Sequence, residues 1–238
     1  MRRALRLGRS LGLWVGLVAA CDGDDPAPAD AADQPPVAGG CPEPASSDPF
    51  ADCVDAFHPG DASFGHDRLP EIVLGPPRGA DELGGMDVAS LGCGGSITLH
   101  FAGLGIPDGP GDDLIVFENP FALGDDATFV EPARVLVSDD GERWREFPCD
   151  LESRPPVGCA GIGLVRYDPD DPAAAGDDPR DPAAAGGDAF DLADVGLERA
   201  RWVRLIDVTE AYYDHSMWCL GDAGGFDLDA VAAIHSPL

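Results

Sequence analysis

The chain has 238 residues with 15 basic and 44 acidic side chains, a formal charge of −29 at pH 7, and every basic residue is Arg. The length suits one domain with appendages, and Asp outnumbers Glu 34 to 10, which puts the acidity on short side chains suited to turns and metal ligation and argues against coiled coils or long helices. A field of this sign repels phosphate backbones and anionic headgroups, so nucleic-acid binding and electrostatic membrane attachment are disfavoured and cations are the natural partners.

Residues 1–20 place four Arg in the first nine positions ahead of an apolar run from Leu11 to Ala20. That is the pattern of a signal peptide, and the run of about ten is too short for a hydrocarbon core that needs roughly 20. It ends Val18-Ala19-Ala20-Cys21, which resembles a bacterial lipobox. The resemblance implies cleavage before Cys21 and acylation of that cysteine, tethering the chain to an envelope membrane, with the outer membrane or cell surface the expected location. Losing residues 1–20 removes four Arg and no acid, leaving a charge of −33. Residues 21–56 are rich in Asp, Pro and Ala with almost no large apolar side chain, a composition that cannot offset its ordering entropy and predicts a disordered spacer. The folded domain is expected over 57–238.

From Phe57 onward, short apolar runs alternate with Gly, Pro and Asp clusters, and no dozen-residue window keeps a 3.6-residue period. Strands are predicted at Glu71–Leu74, Ser96–Phe101, Asp113–Glu118, Ala133–Ser138, Trp144–Phe147, Trp202–Val208 and Leu228–His235. A short helix is the alternative for the last, given its alanines. VLVSDDGERW at 135–144 is a hairpin signal, because Gly141 can take a positive φ. This many short strands imply an all-β sandwich or barrel with long Asp/Gly/Pro-rich loops. Residues 168–187 hold DPAAAG twice, at 171–176 and 181–186. Two copies are too few for a solenoid, so this is expected to be a mostly unstructured loop insertion, with a calcium-binding repeat the alternative.

With Cys21 set aside, Cys41, Cys53, Cys93, Cys149, Cys159 and Cys219 make an even six in an exported chain, which predicts three disulfides. Proximity favours Cys41–Cys53 and Cys149–Cys159, leaving Cys93–Cys219. No C-x₂-C pair or spaced His supports zinc instead.

Candidate metal ligands fall in three acidic groups: Asp108, Asp112 and Asp113; Asp188, Asp191 and Asp194; and Asp227 with Asp229. Calcium takes six to eight oxygens from carboxylates and carbonyls, and Gly-rich turns let carbonyls approach. In an extended GFDLDAV, Asp227 and Asp229 share a face. Neither an EF-hand nor a repeat-in-toxin loop is matched, so the predicted calcium site is assembled from separate segments. No G-x-S-x-G, H-E-x-x-H or phosphate loop occurs. His58 and His66 with Asp61 and Asp67 are a weaker metal group, best read as exposed loop residues, and His100 reads as a paired sheet residue. Tyr212, Tyr213, His215 and Trp218 gather aromatic and polar groups able to stack on a sugar face, with core packing around Cys219 the alternative. Glu118 and Glu131 are the pair a glycosidase would use, though nothing in the sequence brings them together.

GGSITLHFAG, DGPGDDLIVFENPF, ARVLVSDDGERWREF, GGDAFDLADVGL, RWVRLIDV and GFDLDAVAAI, in that order across 57–238, resemble a family of exported bacterial proteins known as cell surface proteins. The resemblance implies an antiparallel jelly-roll β-sandwich similar to galactose-binding-like and discoidin-like modules, which often hold a structural calcium near the last strand, here the GFDLDAV segment. It carries no activity. The chain departs from the family in lacking a terminal sorting helix and in its Asp-Pro-Ala insertion. The expectation is a lipid-anchored, non-catalytic, calcium-stabilised sandwich that binds a glycan or surface protein; the alternatives are an envelope polysaccharide hydrolase and a purely structural surface protein.

Overall fold

A computed structural model describes residues 48–78, 87–122, 128–170, 178–214, 219 and 224–236. The chain divides into two units, Met1–Gln34 and Pro35–Leu238, and all described residues belong to the second. The predicted signal segment and Cys21 lie outside the described residues.

The strands are β1 (Cys53–His58), β2 (Ala89–Ser90), β3 (Ser96–His100), β4 (Ile106–Pro107), β5 (Leu114–Glu118), β6 (Phe121–Ala122), β7 (Thr128–Phe129), β8 (Ala133–Ser138), β9 (Arg145–Glu146), β10 (Asp188–Phe190), β11 (Arg199–Ala200), β12 (Trp202–Asp207) and β13 (Asp227–Ala233). Two short helices, α1 (Pro182–Ala185) and α2 (Thr209–Tyr213), accompany them. One sheet has the order β1-β3-β12-β8-β9 and the other β10-β5-β13-β2, and every pairing is antiparallel. The chain crosses between the sheets at most connections, so the fold is the all-β antiparallel jelly-roll sandwich, with two-stranded ribbons β4–β11 and β6–β7 at its margins.

The side-chain periods explain which sheet each strand joins. β12 reads WVRLID and alternates half-buried with buried, as a strand with one wet face should. Val203 and Leu205 point inward, opposite Leu99 and Ile97 on one side and Val137 and Val135 on the other. β5 reads LIVFE and is buried throughout. Leu114 and Val116 belong to the core between the sheets, whereas Ile115 and Phe117 join Phe50, Ala185, Ala230 and Ala232 in a second apolar layer. Ile115, Phe117 and Phe50 each contribute roughly 1.5–3 kcal/mol by leaving water and the alanines less, which offsets the ordering of the segments bearing Phe50 and Ala185.

Predicted strands at Ala133–Ser138 and within Ser96–Phe101, Asp113–Glu118, Trp144–Phe147 and Trp202–Val208 are present. The β8–β9 hairpin turns at Gly141 with φ 73°. The alanines of β13 lie in a strand, because each finds a ladder partner on β5 and an apolar layer to pack in, which outweighs helix propensity. Three expectations are corrected. Glu71–Val73 is a single 3₁₀ turn following Pro70, and only Val73 is buried. The sandwich begins before Phe57: Phe50 is buried and β1 opens at Cys53, since Val54 and Phe57 dock on β3. The second DPAAAG copy is not unstructured but forms α1, with Asp181 capping the Ala183 N–H and Pro182 in the first turn; residues 171–177 of the insertion lie outside the described residues.

Cys93–Cys219 and Cys149–Cys159 are bonded as expected, with Cα separations of 5.6 and 4.7 Å. Cys53 is also disulfide-bonded; Cys41 lies outside the described residues.

Candidate cation site

Glu118 closes β5, a strand covered on both faces. It is 1% exposed and its Oε2 has no hydrogen-bond partner. On the adjacent strand Asp227 opens β13. The residue is half-buried, yet its Oδ1 is sealed from solvent and also without a partner. Glu131, between β7 and β8, is 6% exposed and accepts the Gly225 N–H on Oε1 at 2.8 Å. Asp207, ending β12, is buried and fully occupied. Its Oδ1 accepts the N–H groups of Gly94 at 2.9 Å and Thr209 at 3.3 Å, and its Oδ2 accepts the Phe226 N–H at 2.8 Å and the Thr209 hydroxyl at 2.7 Å.

Burial lifts the pKa of all four. Glu118 stands well above the usual carboxylate range, pushed further by the charges of Asp227, Glu131 and Asp188 and opposed by the Asp227 N–H. Burial raises Glu131 to about 9, with the Asp227 charge adding and the Gly225 N–H opposing. Asp227 rises to about 6, from burial first, with the Ser90 hydroxyl opposing and the Asp207 charge adding. Asp207 is raised by burial despite its donors. Opposite charge would reverse this, but the chain has no Lys, and all eleven Arg beyond residue 20 are described. None of them forms an ion pair with these carboxylates.

A second acidic group sits at the opposite end of β5. Carboxylate oxygens of Asp108, Asp113 and Asp191 all lie within 4.8 Å of one another, the one set of three or more donor groups among the described residues that converges so tightly. Asp113 is buried and accepts the Gly109 and Leu192 N–H groups, each at 2.7 Å, while His235 Nε2 stands 3.5 Å from its Oδ1. Asp108 is exposed and Asp191 half-exposed. Burial raises Asp113, and the charges of Asp108 and Asp191 act in the same direction.

The remaining acidic candidates disperse. Asp188 accepts three backbone N–H groups, from Gly161, Ile162 and Gly163, at 2.8–3.0 Å. Asp112 and Asp194 are exposed. A register shift between Leu228 and Ala230 inserts Asp229 as a bulge, so the simple alternation expected of GFDLDAV does not hold, and Asp229 Oδ2 accepts the Arg78 N–H at 2.8 Å. Among the described residues His58, His66, Asp61 and Asp67 do not converge on a metal-sized space, and all four are exposed. Of the aromatic group, Tyr212 is buried with the Arg154 guanidinium 4.3 Å above its ring, and the Tyr213 hydroxyl donates to the Val130 carbonyl. His215 and Trp218 lie outside the described residues.

Glu118 and Glu131 were noted in the sequence only as an unconnected pair, and Asp207 was not singled out. Parity carried the signal for Asp207: it shares the inward face with Val203 and Leu205. Glu118 is an acid ending a run of four apolar residues, which is where an acid needs a partner. Glu131, in a short connection, carries no such signature. No protein-family model matches this chain, and no curated protein matches it.

Proposed function

We propose that this chain is a lipid-anchored, non-catalytic β-sandwich of the bacterial cell surface, held together by disulfides and structural calcium and used to bind a glycan or a surface protein. The observation that carries the calcium reading is the convergence of Asp108, Asp113 and Asp191: Asp113 is buried, and carboxylate oxygens of all three lie within 4.8 Å of one another. An isolated buried charge is too costly to persist. Either protons or a bound cation must neutralise the group. The donor set contains oxygen only, which suits a hard cation over zinc or copper. Asp108, Asp113 and Asp191, whose carboxylate oxygens lie within 4.8 Å of one another, are the ligands, and burial favours the protonated forms of Glu118 and Glu131.

The same burial argues against hydrolysis. Glycosidase carboxylates must flank a bound sugar, whereas Glu118 and Glu131 are 1% and 6% exposed. A groove of about 460 Å³ lined by Asp112, Asp150, Asp191, Asp194 and Val157 is the candidate partner surface.

Thermal unfolding of the full chain in calcium and then chelator tests the reading. Saturation at 100 times Kd stabilises by about 2.7 kcal/mol, a rise of roughly 5–10 °C for a domain this size. Asp113→Asn should abolish the rise and Glu118→Gln should keep it. The reverse pattern moves the ion to the buried Glu118 cluster, and no rise in the wild type removes calcium altogether. Glycan-array binding and polysaccharide hydrolysis by the same protein separate a binding module from an enzyme.

A further inference from the structure

The outward face of the five-stranded sheet carries aromatic rings and an unpaired cation in a chain whose net charge is −29. β12 is the middle strand of that sheet, and with Val203 and Leu205 turned inward it turns Trp202, Arg204 and Ile206 outward. Register sets their neighbours: Trp202 lies between His100 and Ser138, and Arg204 between Thr98 and Leu136. The β8–β9 hairpin then brings Trp144 back over Arg204, with the guanidinium carbon 3.9 Å from the ring centroid. One row away, the Trp202 and His100 rings stand 4.6 Å apart. Both tryptophans are half-buried, so each keeps part of its ring surface in water.

Arg204 is the exception among the basic residues. Seven of the eleven Arg beyond residue 20 form ion pairs with carboxylates. Of the other four, Arg145, Arg154 and Arg166 are exposed, whereas Arg204 is half-buried. Its Nε donates to the Thr98 hydroxyl at 3.0 Å, while its terminal nitrogens have no partner among the described residues and reach solvent. Burial disfavours its charge, and the exposed Asp55 opposes that effect without forming an ion pair. A guanidinium offers a planar fork that donates to both oxygens of a carboxylate, and Thr98 and Trp144 hold this fork in place before any ligand arrives. The ring surfaces beside it suit the C–H faces of a pyranose. The face offers side chains only: β12 is paired on both sides, so no backbone edge is open to a peptide strand. A sugar needs none.

We propose that this sheet face binds a glycan bearing a uronic-acid residue, with the carboxylate on Arg204 and the pyranose faces on Trp144 and Trp202. The inference rests on the binding-module reading above, selects its glycan arm, and does not depend on calcium. The groove lined by Asp112 and Asp150 would repel such a ligand. The charge of the chain restricts the ligand to isolated carboxylates rather than a dense polyanion, and at physiological salt acids farther than about 8 Å are largely screened.

The test is titration calorimetry of the full chain with a panel of oligosaccharides that each carry one uronate, the same oligosaccharides with that carboxyl reduced to the alcohol, and a hexapeptide of Asp and Glu. Wild type should bind a uronate oligosaccharide roughly tenfold to a hundredfold more tightly than its reduced form, the worth of a charge-assisted pair. Arg204→Met should erase that preference, Trp202→Ala should weaken both forms, and Asp112→Asn in the groove should change neither. Should Arg204→Met fail to melt cooperatively, Arg204→Lys decides: it keeps the charge and loses the fork, and should lower the preference at least about threefold. Equal wild-type affinity for acid and reduced forms, a preference that survives both Arg204 variants, or full affinity in Trp202→Ala overturns the proposal. Tighter binding of the peptide overturns it too, by making the ligand a protein. Neutral sugars bound by wild type and lost in Asp112→Asn overturn the sheet face and leave the binding-module reading standing, whereas no binding of any sugar or peptide brings down both.

Discussion

Removing the two described disulfides one at a time should destabilise the chain by amounts set by the loops they close. Cys93–Cys219 closes a separation of 126 residues and Cys149–Cys159 one of 10. In the chain-entropy account these restrict the unfolded ensemble by about 4.9 and about 2.7 kcal/mol at 25 °C. Cys93→Ser/Cys219→Ser should therefore lose about 2 kcal/mol more than Cys149→Ser/Cys159→Ser. The assay is equilibrium urea unfolding in chelator, so that ion coupling does not contribute, with midpoints compared at a common slope. Cys93 and Cys219 are half-buried and Cys159 is buried, so the serine hydroxyls disfavour the short-loop variant if either. That bias works against the predicted order. A Cys149→Ser/Cys159→Ser variant as unstable as the long-loop one would refute the entropic reasoning and show that native contacts around residues 148–160 dominate.

Two further outcomes follow from burial and charge. In chelator, stability should fall as pH rises from 5 to 8: Glu131 has a folded pKa of about 9 and Asp227 about 6, both above their unfolded values, so the native state binds more protons across this window and loses up to about 4 kcal/mol through Glu131 alone. The lowered carboxylates Asp139, Asp150 and Asp178 act the opposite way, but their contribution is complete above pH 5, so urea midpoints that increase from pH 5 to 8 would contradict the buried cluster. Starting the chain at Phe57 should abolish cooperative thermal unfolding and starting it at Asp48 should preserve it, because the first deletion removes most of β1 and the buried Phe50; an unchanged circular-dichroism melt for the shorter chain would show that β1 is dispensable.

What the sequence disclosed depended on how regular each segment is. β8 was legible end to end because ARVLVS has Val135 and Val137 facing in and a hairpin turn after it. β1 was not: CVDAFH carries a bulge between Val54 and Ala56, which breaks the two-residue period that identifies a strand. In β13 the alanines spoke for a helix and lost to the ladder with β5. The acidic groups followed the same rule. Local spacing found Asp227 and singled out Asp108 and Asp113 in one group and Asp191 in another, which pairing of β10 with β5 brings together, whereas Glu118, Glu131 and Asp207 meet Asp227 only through pairing of β5 with β13 and closure of the two sheets. Their sequence separations hide a cluster that is the most consequential electrostatic feature of the domain.

The fold therefore contains an internal conflict that its surroundings must resolve. The apolar core alone would favour the sandwich, but closing it takes Glu118, Glu131 and Asp207 out of water without an ion pair to a described Arg. Protons resolve the conflict at acid pH and, for Glu131 with its pKa raised to about 9, at neutrality too, while on the proposed reading calcium does the same for Asp108, Asp113 and Asp191 at the other end of β5. Extracellular modules bind calcium with dissociation constants of roughly 10⁻⁴–10⁻³ M, and structural disulfides persist in oxidising compartments. A Lys beside Glu118 would pair its charge, and with no Lys in the sequence the burial of these acids ties stability to the pH of the medium.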